Sequence, residues 1–250
     1  MMQKGLLFVV ACTVFGFSLL AHLPARLVIP QQYGEFQFLG IGGSVWRGEV
    51  QQILHSGKVL PVRSLHWTVR PTTLLTGTLK ADIQEQQTPM NRGRVGLGLW
   101  SRQLELQALH WQLPGASLDP WFRAGAGLEG HFVIDLQEAR LAADTLLPSR
   151  LKGRLDWQNA ALQLDSERWP IGSPVVQFSG EGDTVKGAVT NAQPMVPGNG
   201  SFQCTTTICL VELSLRPTPD APQSLLRGLL LLGLQQAGDT FSGQMSFPLD

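Results

Sequence analysis

Twenty-one residues near the start of the chain, Gly5 to Ala25, contain no Asp, Glu, Lys or Arg. Lys4 stands just before this run and Arg26 just after it. A bilayer core about 30 Å thick takes roughly 20 apolar helical residues to cross, so the run is just long enough. A basic residue on a short flank holds that flank in the cytoplasm. The reading is one crossing with residues 1–4 as a cytoplasmic tail, 5–25 as a signal-anchor helix, 26–40 as a linker and 41–250 as a β-rich domain outside the cytoplasm. Two alternatives compete. A cleaved signal peptide has a shorter apolar region and a small-residue cleavage site, and here only Leu19-Leu20-Ala21 and Leu23-Pro24-Ala25 offer one. A buried core helix would need a helical partner, and the rest of the chain shows no obvious one.

The remaining sequence is dominated by period-two alternation, the signature of half-buried strands. Leu65, Trp67 and Val69 alternate with Ser64, His66 and Thr68. Further strands are read at Ile41 to Val50, Leu79 to Ile83, Val95 to Leu99, Leu128 to Leu136 and Phe241 to Leu249. Leu104, Leu106 and Ala108 give way to Leu109, Trp111 and Leu113, and a slip of one residue predicts a β-bulge. A second slip falls at Asn159-Ala160 within the strand Leu151 to Leu164. Val175 to Val189 reads as a strand pair broken at Gly180-Glu181-Gly182-Asp183, and Phe202 to Leu215 as a hairpin.

Between strands, Pro71 to Gly77 predicts one helical turn, with Pro at the start and Gly at the exit. Asp119 to Arg123 suits another, and Trp169 to Pro174 reads as a turn. Thr218 to Pro222 opens a helix expected to run to Ala237 and stop at Gly238. Its leucines (Leu225, Leu226, Leu229, Leu230, Leu231, Leu232, Leu234) cover nearly every face, as in a helix buried or facing a membrane or partner. Leu225, Leu229 and Leu232 are the candidate partner or lipid contacts. The fold class is mainly β: an antiparallel, curved or twisted sheet with a few short helices behind the anchor. A Leu-x-Trp core recurs at Leu65-His66-Trp67, Leu109-His110-Trp111 and Leu155-Asp156-Trp157, and reads as repeated hairpins.

Lys plus Arg and Asp plus Glu are 19 each, so the chain lacks the basic footprint of a nucleic-acid binder. Charged residues make up 15%, and 43% apolar content opposes disorder. Of three cysteines, Cys12 falls in the apolar run. Cys204 and Cys209 bracket four residues and would close a hairpin as a disulfide in an oxidising compartment. Free thiols are the alternative, and a metal site has no histidine or second cysteine pair beside them.

Catalytic patterns are missing. There is no Gly-x-Ser-x-Gly elbow, phosphate-cradling Gly-x-x-x-x-Gly-Lys or His-Glu-x-x-His helix. His66 and His110 fall on presumed polar strand faces, where a solvated or hydrogen-bonded histidine is ordinary. The seven tryptophans read as core rather than as a binding platform. Asp119, Asp135, Asp144, Asp156, Asp165 and Asp183 are dispersed. An enzyme, a metal or a cofactor is not expected.

Several passages, in order, carry a family resemblance. They are the apolar run with Leu23-Pro24-Ala25, then Gly43-Ser44-Val45-Trp46-Arg47-Gly48, then Trp67-Thr68-Val69-Arg70-Pro71 with Leu74-Leu75-Thr76-Gly77. Leu151-Lys152-Gly153-Arg154-Leu155-Asp156-Trp157 with Ala160, and Gly200-Ser201-Phe202 leading to Leu213 and Arg216-Pro217, follow. The chain resembles type II secretion system protein N. The resemblance implies a single-pass bacterial inner-membrane protein with its bulk in the periplasm, in the machine that moves folded proteins across the outer membrane. It implies other secretion subunits as partners and gives Gly43, Trp46, Gly48, Trp67, Pro71, Gly77, Gly153 and Trp157 structural roles. Glycine-punctuated strands behind one anchor are also similar to AsmA-like periplasmic proteins, which implies a lipid-handling module with an apolar groove.

Overall fold

The computed structural model describes residues 15, 18–19, 21–101, 103–121, 126–142, 148–164, 167–192, 196–231 and 233–248. Most of the expected anchor, 5–25, lies outside the described residues. Of that run, Phe15, Ser18, Leu19, Ala21 and Ala25 are helical. Among the described residues no helix is long and apolar enough to cross a membrane. The chain is mainly antiparallel β with few short helices, and it divides into two compact units, Met1–Pro89 and Met90–Asp250.

In the first unit, a short helix α1 (Ala25–Val28) precedes β1 (Gln32–Tyr33), β2 (Phe36–Leu39), β3 (Gly42–Gly43), β4 (Arg47–His55), β5 (Lys58–Arg70) and β6 (Thr78–Glu85). The stretch 26–40, read as a linker, thus carries α1, β1 and β2. β4 pairs with β2, β3 and β5, and β5 with β6. The expected turn at Pro71 is a 3₁₀ helix, Pro71–Thr76, with Gly77 left-handed at φ +72° as its exit. The Thr73 hydroxyl ties it to β6, donating to Arg70 O and accepting from the Lys80 N–H.

The second unit comprises β7 (Arg92–Gly98), β8 (Gln103–Pro114), β9 (Ala126–Ala142), β10 (Pro148–Leu164), β11 (Glu167–Gly172), β12 (Val175–Glu181), β13 (Thr184–Asn191), β14 (Gly198–Cys204), β15 (Ile208–Leu215), helix α2 (Gln223–Leu231), β16 (Gln235–Ala237) and β17 (Thr240–Pro248). Consecutive strands pair from β7 to β10. On its other side β10 is shared: β12 takes Arg150 to Asp156 and β11 takes Ala160 to Leu164. The ladder continues through β12, β13, β14 and β15 to β17, which also pairs with β16.

Both expected slips are bulges. Ala108 (φ +49°) and Asn159 (φ +51°) are left-handed, and the register shifts beside each. Ser64 (φ +52°) is a further such residue, directly before Leu65-His66-Trp67, as Ala108 is before Leu109-His110-Trp111. One extra residue re-aims the strand, so Leu104, Leu106, Leu109 and Trp111 share one face.

Two expectations need correction. Trp169-Pro170-Ile171 is not a turn but part of β11; Gly172, at φ +116°, ends that strand, and the chain runs on in the same direction along β10 into β12. The leucine helix ends at Leu231, not Ala237. Gly233 (φ +87°) terminates it, with its N–H donating to Leu230 O, and Gln235 to Ala237 then pair with β17 instead. A strand partner outweighs helical propensity there.

Candidate interaction surface

Cross-strand register divides the second unit's sheet into two faces. Arg154, Gln177, Ala188, Ser201, Glu212 and Gln244 form one row across β10, β12, β13, β14, β15 and β17. All six are exposed. The next row, on the opposite face, reads Gly153, Phe178, Gly187, Phe202, Val211 and Met245, all half-buried. Leu155, Val176, Val189 and Leu213 lie on that same face by alternation.

Glycine sets the relief of the apolar face. A Cβ on Gly153 would lie 2.7 Å from the Phe178 ring, and one on Gly187 would overlap Phe202. Each ring therefore lies over the bare backbone of its cross-strand partner. The first unit uses the same device at Gly48, which pairs with Trp67 and whose Cβ would overlap the indole. Trp67 Nε1–H donates to Val45 O at 3.1 Å, fixing the ring. Gly43 pairs with Gly48, and Trp46 O accepts from the Val69 N–H at 2.7 Å. The structure thus brings Gly43, Trp46, Gly48 and Trp67 into one locality around β4 and β5, with Pro71 and Gly77 bounding the turn after β5. Trp157 stacks on Phe132 at 5.0 Å in the second unit, and its Nε1–H donates to Glu129 O.

Helix α2 covers only one end of the apolar face. Leu225 is buried with Val196 and Ala221 against Trp169 and Leu215. Leu229 is buried with Leu234 and Phe241 against Leu213 and Met245. Leu230 is 48% exposed, so the helix is not buried all round. Leu232 lies outside the described residues. Trp169 lies 3.1 Å from where a Gly228 Cβ would be, so the helix approaches β11 closely at that glycine. Glu167 completes the join: the Ser224 hydroxyl, and then the Trp169 indole N–H, hold its carboxyl below the usual carboxylate value. A hollow of about 410 Å³, lined by Pro197, Pro217, Leu226 and Phe241 among others, opens beside the helix.

The histidines tie strands together. His110 Nδ1 lies 2.5 Å from Asp135 Oδ1, while its Nε2 is 3.1 Å from the Gln112 amide. Both ring nitrogens are thus engaged. His66 Nε2 is 3.4 Å from Glu49. Among the described residues no three His, Cys, Asp or Glu side chains are grouped to hold a metal. Cys204 and Cys209 are disulfide-bonded across β14 and β15, with Cα atoms 3.9 Å apart.

Sequence reasoning missed the pairs Gly153–Phe178 and Gly187–Phe202, the Glu167–Ser224 join and two buried asparagines. Asn91 exchanges two hydrogen bonds with the Gln112 backbone. Asn191 donates to Ile171 O and Val196 O. Glycines inside apolar alternation were the visible signal for the first two.

A sequence model of the type II secretion system protein N family matches residues 36–242. The chain belongs to that family. It is thereby a component of type II secretion, and the matched span takes in almost all of both units' strands. No curated protein and no solved structure gives a significant match. The Gly48–Trp67 and Gly153–Phe178 contacts both fall within the family's span.

Proposed function

We propose that this chain is a non-catalytic assembly component of the type II secretion machinery. It is anchored in the inner membrane by residues 5–25, stands in the periplasm and helps build or support the apparatus that exports folded proteins. Family membership supports the machinery. The uncharged run between Lys4 and Arg26 supports the anchor. The Cys204–Cys209 disulfide supports an oxidising compartment. The observation that carries the assembly role is the incompletely covered apolar face, since partly exposed apolar surface rimmed by polar residues marks interaction sites. Its partners are other inner-membrane or periplasmic subunits, with no nucleic acid.

A second reading, lipid handling, rests on the same face beyond α2, where Phe178, Phe202 and Val211 are half-buried. An acyl chain there would gain about 0.8 kcal/mol per buried CH₂. Mild detergent extraction of the full chain, with mass spectrometry of co-purifying proteins and lipids, separates the readings. Secretion subunits at near-stoichiometric yield support assembly. A tightly held lipid without a protein partner supports lipid handling and defeats assembly.

A further inference from the structure

The geometry points to a strand-addition site at the outer edge of β17, Gln244 to Phe247, for an extended, uncharged, alternately apolar segment of another secretion subunit. This rests on the assembly reading above and names where the contact is made.

β17 pairs with β15 from Phe241 to Pro248. On its other side β16 reaches only Thr240 to Ser242. Leu234 then closes against Gly243, 3.0 Å from where its Cβ would be. From Gln244 onward, no strand among the described pairings lies on that side. The turn between β16 and β17 has two residues, Gly238 and Asp239, so Ala237 and Thr240 form a hydrogen-bonded pair. Main-chain groups alternate sides along a strand. Thr240 and Ser242 therefore point toward β16, and Gln244 and Ser246 point the same way past its end. Met245 and Phe247 direct their main-chain groups to β15. Pro248 is next in the outward series and has no N–H to offer, so it terminates the edge.

Edges are normally guarded by charge, proline or cover. β11 carries all three: Glu167, Arg168 and Pro170, with α2 packed beside it. Gln244 to Phe247 carries no charge and no proline. The surrounding corner is apolar on both faces, with Ile208 40%, Leu210 37% and Phe247 48% exposed. An added strand would set apolar side chains beside Met245 and Phe247 and polar ones beside Gln244 and Ser246. A charged segment would find no counter-ion on the edge, which selects an uncharged one.

The test uses the full chain in cells that carry the machinery, comparing wild type, Ser246→Ala, Ser246→Pro and Phe247→Lys. Proline at 246 removes an outward N–H that β15 does not use, and lysine at 247 installs the missing guard charge. Subunit yield per copy after mild detergent extraction is expected to match wild type in Ser246→Ala and to fall about tenfold in the other two, with unchanged circular dichroism. If Ser246→Pro lowers the melting temperature, Phe247→Lys alone decides. Wild-type yield in the variant that decides overturns the edge proposal and leaves the assembly reading standing. No subunit with the wild-type chain overturns the assembly reading itself. A complex between copies of this chain that Ser246→Pro dissolves, at unchanged subunit yield, overturns the proposal in favour of self-pairing.

Discussion

The indole of Trp67 lies directly over the α-carbon of Gly48, its partner across the β4–β5 ladder, and a Cβ at Gly48 would collide with that ring. Aromatic cover over a bare glycine restores the packing a strand glycine forgoes and protects the backbone from water.

Gly48→Ala is therefore expected to destabilise the protein by about 1–3 kcal/mol, the usual cost of overpacking. Gly42 O, 2.7 Å from the same Cβ, is a second clash, with backbone, that a shift of the ring does not relieve. Gly57→Ala is the comparison: at φ +77° it is strained, yet nothing lies within 4 Å of its Cβ. Thermal melts followed by circular dichroism should rank Gly48→Ala as the less stable. The reverse order would show that the indole can shift.

Leu229→Ala should cost about 2–5 kcal/mol, as for other buried leucines, because Leu229 is only 7% exposed against Leu234 and Phe241. Leu230→Ala, one residue on, should lie within about 0.5 kcal/mol of wild type. Urea titrations of both variants measure this. Equal midpoints would mean that α2 does not pack on the sheet through Leu229.

The Glu167 carboxyl is held below its ordinary value of 4.5 by Ser224 and Trp169. A lowered folded value means that the carboxylate contributes stability above about pH 4.5, lost as pH falls through the folded value. The stability gap between wild type and Glu167→Gln should therefore be present at neutral pH and close on acidification. It is small, since Glu167 is exposed at the surface. Melting temperatures of both proteins from neutral to acidic pH test the sign. A gap that widened toward acid would contradict the Glu167–Ser224 join.

Reduction of Cys204–Cys209 should lower stability by about 2 kcal/mol, the loop-closure contribution for so short a loop. Alkylation of the native, unreduced protein should leave both cysteines unlabelled, and the Cys204→Ser, Cys209→Ser double variant should melt as the reduced protein does. Labelling without reductant would show free thiols.

Much of this architecture was legible in the residue order because the signals are local. Leu65-His66-Trp67 announced a strand, Pro71 and Gly77 a turn, and the slips at Ala108 and Asn159 two bulges. Two cysteines with four residues between them announced their own hairpin. Each depends on backbone geometry within a few residues, and a period of two or a fixed φ can be read from sequence alone. The order of motifs also sufficed to indicate the family.

Partnership was not legible, because pairing is non-local. Nothing near Gly153 says that Phe178 will cover it, and nothing near Glu167 says that Ser224, fifty-seven positions later, will bind it. The sharing of β10 between β11 and β12, and the conversion of Gln235 to Ala237 from expected helix to strand, were likewise decided by neighbours. Local propensity separates such states by little, whereas pairing a strand and seating Leu229 and Leu234 against Phe241 adds burial that only the assembled sheet supplies.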